Sequence, residues 1–101
     1  MQAPPGSITF FFSDMEGSTV LAQERPDEWD AIKQCHDDIL QACIEERSGH
    51  VFNIVGDAYC AAFSDIVEAT QAAVEVQRRL GVDVRGHRIK VLIGLHTGSS
   101  E

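Results

Sequence analysis

Apolar positions along this chain alternate between two rhythms. Residues 7–12, Ser-Ile-Thr-Phe-Phe-Phe, are β-branched and aromatic. They predict a central strand buried on both faces. Residues 17–24 read as a short helix, broken at Arg25-Pro26-Asp27, with Pro26 or Asp27 opening the next one. That helix runs from about 27 to 47. Trp29, Ile32, His36, Ile39, Leu40, Cys43 and Ile44 recur in it at spacings of three and four, which predicts one buried stripe. Glu28, Lys33, Asp37, Glu45 and Glu46 fall largely outside the stripe. Ser48-Gly49 stops the helix, with Gly49 suited to a left-handed cap.

Residues 50–55 and 58–63 then read as two short strands around Gly56-Asp57, a hairpin-turn signal. Ser64 is the expected N-cap of a second long helix, with Glu68 near its positive end. Ile66, Ala69, Thr70, Ala73, Val74, Gln77 and Leu80 trace its expected stripe, and Gly81 ends it. A loop over 82–86 leads to a last strand over 87–96, and Thr97-Gly98-Ser99-Ser100-Glu101 trails off in small polar residues. The order is strand, helix pair, strand, strand, helix, strand. It predicts an α+β, ferredoxin-like βαββαβ fold, a four-stranded antiparallel sheet with helices on one face. The usual spatial order, 4-1-3-2, sets the first strand beside the hairpin. Residues 1–6 form a Pro-rich flexible lead-in, and 7–101 form one domain.

That topology matters because it brings two carboxylates together. Asp14 follows the first strand, inside Phe12-Ser13-Asp14-Met15-Glu16-Gly17-Ser18-Thr19, and Asp57 sits at the hairpin turn. A carboxylate pair suits a hard divalent cation. The Gly17-Ser18-Thr19 stretch opens a helix, where backbone N–H groups favour an anion. Asp is also a common turn and cap residue, so spacing alone leaves a structural role open. Glu16 is read as a solvated first-turn residue with a minor claim as a third carboxylate. His36 and His96 read as packing or edge residues, and Trp29 and the Phe run as core or interface.

The formal net charge of −8 argues against binding to nucleic acid or to an anionic membrane. It leaves a nucleotide ligand open, because a metal supplies local positive charge. No run of residues is long and apolar enough for a transmembrane span, and the first residues show no signal-peptide pattern. Cys35, Cys43 and Cys60 form no CxxC pair. They read as free thiols in a reducing compartment, and the expected location is cytoplasmic.

Three motifs in this order, Phe12 to Thr19, Val55-Gly56-Asp57-Ala58 and Ile93-Gly94-Leu95-His96-Thr97-Gly98, resemble the class III nucleotidyl cyclases of bacterial type. The resemblance covers about Ser7 to Gly98. It implies cyclisation of a nucleoside triphosphate, ATP or GTP with ATP the favoured expectation, to a 3′,5′-cyclic nucleotide with release of pyrophosphate. It implies two Mg²⁺ or Mn²⁺ ions on Asp14, Asp57 and the Met15 carbonyl, with phosphate at Gly17, Ser18 and Thr19. It further implies sites formed between antiparallel chains, hence a homodimer or higher oligomer.

Two departures stand out. Asn53 occupies the family's base-selecting lysine position, and Leu92 the position of a phosphate-reaching arginine. Asn53 could read a purine edge or simply face solvent. The family's transition-state Asn and Arg lie on elements after the last strand, which the resemblance puts beyond Glu101, so no catalytic residue of that kind is expected in this chain. The domain thus reads as truncated after its fourth strand, with the metal and phosphate half of a site. The alternative is a non-catalytic metal- and nucleotide-binding or dimerisation module. A diguanylate cyclase is disfavoured, because its Gly-Gly-Asp-Glu-Phe hairpin is replaced here by Val55-Gly56-Asp57-Ala58-Tyr59.

Overall fold

The computed structural model describes residues 7–81 and 88–99. The expected lead-in over 1–6, the expected loop over 82–86 and His87 lie outside the described residues. So do Ser100 and Glu101, and with them the expected break of the domain at Glu101. The elements are β1 (Ser7–Met15), α1 (Ser18–Glu24), α2 (Pro26–Glu46), β2 (His50–Val55), β3 (Ala58–Phe63), α3 (Ile66–Leu80) and β4 (Val91–Ser99). The four strands form one antiparallel sheet in the order β2-β3-β1-β4, the order expected of a βαββαβ chain.

Side chains alternate across a strand, and here the alternation separates two environments. Thr9, Phe11, Ser13 and Met15 of β1 are buried, as are Tyr59, Ala61 and Phe63 of β3. They meet Ile32, Leu40, Cys43 and Ile44 of α2 and Ala69, Ala72, Val76 and Leu80 of α3. Between them on β1, Phe12 and Asp14 are exposed and Ile8 and Phe10 half-buried. The expectation that β1 is buried on both faces is thereby corrected. Helices cover one face, and the aromatic residues on the other form a surface of their own. There Phe10 stacks on Phe12 at 6.3 Å between ring centres and meets Phe52 edge-on at 6.1 Å.

Several element details also differ from the sequence reading. β1 continues through Asp14 to Met15, because all of 13–15 pairs with β4. β4 likewise starts later and keeps Thr97 to Ser99, which pair with Thr9 to Ser7. Thr9 Oγ1 and Thr97 Oγ1 lie 2.8 Å apart, so the start of the polar tail is held rather than trailing. After α2 it is Ser48, not Gly49, that takes positive φ, at 62°. Gly49 is needed for space instead, since a Cβ there would meet the Phe63 ring at 2.5 Å. Asp65 rather than Ser64 caps α3, accepting from the Val67 N–H at 2.8 Å. The α3 stripe is rotated from the one expected. Ala72 and Val76 are buried, whereas Ile66, Thr70 and Val74 are exposed. Two of the buried positions, Ala69 and Ala72, carry small side chains, whose periodic contrast is weaker than that of the larger apolar residues beside them.

Candidate functional site: a carboxylate pair on the open face

Asp14 is the penultimate residue of β1 and points to the face that no helix covers. Its place follows from alternation: Ser13 and Met15 are buried on the helix side, so Asp14 must emerge on the other. Asp57 arrives from the β2–β3 turn, where Gly56 adopts φ 61°, a left-handed conformation that favours glycine. Asp57 Oδ1 accepts from the Met15 N–H at 3.4 Å, a long contact that bridges the hairpin to the end of β1. Asp57 also raises the pKa of the Asp14 carboxyl above its ordinary value. Hydrogen bonding to Asp57 contributes most, then loss of hydration and then like charge, while the Met15 backbone pulls the other way. The two carboxyl groups are thus brought together.

Two carboxylates in each other's field, with no cationic side chain among the causes of the shift, are chemically suited to a divalent cation. Among the described residues, no group of three or more His, Cys, Asp or Glu side chains is arranged to hold a metal. Any ion here would therefore rest on this pair, backbone oxygen and a ligand's own oxygens. Glu16 is exposed and joins no such group. Its N–H donates to the Lys90 carbonyl at 2.8 Å, which fixes the backbone leaving β1.

Gly17 caps α1 in the left-handed conformation, φ 69°, with open space where a Cβ would stand. Gly17 and Thr19 are exposed and Ser18 half-buried. Asn53 lies on exposed β2, just after a register shift between Val51 and Asn53. The register runs Asn53, Cys60, Phe12, Gly94 across the four strands. Phe12 and Asp14 are two residues apart on the same face of β1, so Asn53 lies one row from the carboxylate pair. Leu92 pairs with Asp14 from β4 and is 60% exposed. His96 is exposed on the edge strand, opposite Phe10.

Grooves of about 280 and 340 Å³ run instead along α3 and β4, away from the carboxylates. From the sequence alone His36 reads as packing. The structure gives it a buried polar neighbourhood with Asp37 and Tyr59, which a histidine inside an apolar stripe followed by an aspartate could have signalled.

No family model matches the chain. An uncharacterized protein of Mycobacterium tuberculosis is 31% identical over 97 residues, covering 94% of this chain but 32% of that protein. The chain thus spans about a third of the length of the first curated relatives it matches. An adenylate cyclase of Lachancea kluyveri is 32% identical over 79 residues, 77% of this chain and 4% of that protein. Among solved structures, a Trypanosoma brucei adenylate cyclase in its monomeric state superposes with a TM-score of 0.88 at 20% identity, over 98% of this chain and 58% of its own. The guanylate cyclase domain of RhGC from Catenaria anguillulae, in complex with GTP, gives 0.82 at 21% identity, over 92% and 57%.

Proposed function

We propose, for a chain that carries the fold of the class III adenylate and guanylate cyclase catalytic domains, that its open face binds a nucleoside triphosphate together with divalent cations. The reaction served is formation of a 3′,5′-cyclic nucleotide with loss of pyrophosphate, ATP being preferred to GTP. The observation that carries this reading is the hairpin's delivery of Asp57 to the end of β1, beside Asp14 and the Met15 N–H.

Asp14, Asp57 and the Met15 carbonyl would hold Mg²⁺ or Mn²⁺, two ions in the working complex. When bound, such ions supply Lewis-acid charge that makes the ribose 3′-hydroxyl more acidic and offsets charge on the triphosphate. In the reaction the 3′-oxygen bonds to the α-phosphorus, the bond from that phosphorus to the bridging oxygen breaks, and the hydroxyl proton passes to solvent. Gly17, Ser18 and Thr19 receive the triphosphate at the start of α1. Asn53, on the same face as Asp14, offers a carboxamide to the base. Asp14, Asp57, Met15 and the Gly17–Thr19 stretch would together form the metal and phosphate half of the site.

The carboxylate pair lies on an open surface, and the adjacent Phe12 and Phe52 are 44% and 50% exposed. A second copy laid on this face would cover both the aromatics and the ligand, so the working form is a homodimer or higher oligomer. One observation favours the second reading, a non-catalytic metal- and nucleotide-binding or dimerisation module. Opposite Asp14 stands Leu92, which offers no charge to a phosphate.

Calorimetric titration with Mn²⁺·ATP and Mn²⁺·GTP, followed by assay for cyclic product, tests both. We expect binding, with ATP tighter, and little or no cyclic product. Asp57→Ala is expected to abolish metal-dependent binding while leaving the unfolding midpoint near wild type, because the residue sits in a turn. Undiminished binding by Asp57→Ala would remove the metal assignment. Fast cyclisation by this chain alone would show that catalytic groups lie within it.

A further inference from the structure

Among the described residues, two buried side-chain atoms lack a hydrogen-bond partner, and their chemistry is complementary. His36 is fully buried in the α2 stripe, and its Nδ1 lies 2.9 Å from Asp37 Oδ1. Lys33 Nζ donates to the other Asp37 oxygen at 2.7 Å. Burial alone would raise Asp37, but the hydrogen bonds from Lys33 and His36 outweigh it and hold the carboxyl below its ordinary range. An ionised carboxylate only accepts, so His36 Nδ1 carries the proton. In the neutral ring Nε2 is then a bare acceptor, and it has no partner. The second orphan, Ser13 Oγ, is a hydroxyl with a proton to give. Both border one residue. Tyr59 meets the His36 ring edge-on at 5.9 Å and is the cross-strand partner of Ser13.

Unpartnered buried polar groups are rare in folded proteins, and internal water is their common partner. We infer that one internal water accepts from Ser13 Oγ and donates to His36 Nε2, and that this link is a positioning device for Asp14. It completes a line from Lys33 through Asp37 and His36 to the residue next to Asp14, on the opposite face of β1. The helix side of the strand thereby fixes the backbone that presents the carboxylate on the open side. The water link rests on the two unpartnered atoms and their shared neighbour Tyr59, whereas the use made of Asp14 rests on the proposed function.

Nitrogen-15 NMR of the His36 ring in the full chain, paired with Mn²⁺·ATP calorimetry, tests both parts. The expected ring is the Nδ1–H tautomer. Ser13→Ala should shift its Nε2 resonance, and Ser13→Thr, which keeps the hydroxyl, should restore it. Ser13→Cys, a near-isosteric weak donor, gives the same comparison if Ser13→Ala does not fold. In the folded protein Ser13→Ala should weaken Mn²⁺·ATP binding by about three- to tenfold, the scale of one buried hydrogen bond, with recovery in Ser13→Thr. A merely structural role would lower the unfolding midpoint without changing the affinity of molecules that remain folded. An Nε2–H tautomer, or an Nε2 resonance unmoved in Ser13→Ala, overturns the link. A moved resonance with unchanged affinity overturns the positioning role. A wild-type chain that binds no Mn²⁺·ATP overturns the proposed function and the positioning role with it, while the Nε2 resonance still decides the link.

Discussion

The two faces of β1 are made of alternating residues of one short segment and do opposite work. On the helix side Thr9, Phe11, Ser13 and Met15 are almost completely excluded from solvent. One residue along in each case, Ile8, Phe10, Phe12 and Asp14 line a face without helices. The comparison teaches that the apolar content of a strand does not reveal how many of its faces are covered. Three consecutive phenylalanines look like a doubly buried strand, yet Phe11 is fully buried and Phe12 is 44% exposed. One face holds the fold together, and the other leaves Phe12 and Asp14 at the surface.

The sharpest way to break that symmetry is to remove one ring from each side. Phe11 packs against Phe63 at 6.0 Å between ring centres, inside the core. Phe11→Ala should cost about 3–5 kcal/mol, a large share of the roughly 5–15 kcal/mol available to a domain. Phe12→Ala should cost about 1 kcal/mol or less, since its ring is already half in water. Urea unfolding of the two variants measures the difference, and equal losses would mean that the open face is covered. A second blow to the covered side comes from Gly49→Ala, whose new Cβ would run into the Phe63 ring and Ile44. We expect a loss of about 1–3 kcal/mol from overpacking, read from the same unfolding curves.

The same contrast explains how much was legible in the sequence. Large apolar side chains at spacings of three and four gave the α2 stripe, and Ile32, His36, Leu40, Cys43 and Ile44 are indeed its buried residues. On α3 two of the four buried positions are alanines, so the bulkier but exposed Ile66 and Val74 drew the reading to the wrong side. Strand pairing extended β1 and β4 beyond their apolar cores. Backbone hydrogen bonds hold Ser13, Asp14 and Thr97 in register whatever their side chains prefer. The meeting of Asp14 and Asp57 was readable, because it follows from strand order and one turn. The orphaned polar pair beneath it was not, since no spacing rule says which core hydroxyl lies beside which imidazole.

Tyr59 tests the covered face by a different route. Burial, and after it the negative charge and hydrogen bonding of Asp37, push its phenol up from 10 to about 12. The folded state therefore holds this proton more tightly than the unfolded chain does. The resulting stabilisation is fully present below pH 10 and is lost as pH rises through about 12. Tyr59→Phe has no such proton. We expect wild type to be the more stable by about 1 kcal/mol near neutrality, the scale of one hydrogen bond, and the advantage to vanish across that alkaline window. A difference that stays constant to pH 12 would mean that the phenol ionises freely in the folded protein.

The smallest effect on stability belongs to the open face, and its sign is the informative part. Asp14 is exposed, and its carboxyl is held above the ordinary range by hydrogen bonding to Asp57, loss of hydration and like charge. A folded-state carboxyl with a raised pKa favours the acid side. Its contribution is fully present below the unfolded value of 3.8 and is lost as pH rises through the higher folded value. Near neutrality the ionised pair is a slight burden on the fold. Asp14→Asn removes one charge and keeps the shape, so its unfolding midpoint at pH 7 should equal or slightly exceed that of wild type. The difference should reverse or shrink as pH falls into the acid range. Millimolar Mg²⁺ should raise the wild-type midpoint and leave that of Asp14→Asn nearly unmoved, because an ion that binds only the folded pair stabilises it by mass action. A clear loss of stability in Asp14→Asn at pH 7 without metal would show that Asp14 belongs to the scaffold and not to a site held ready on its surface.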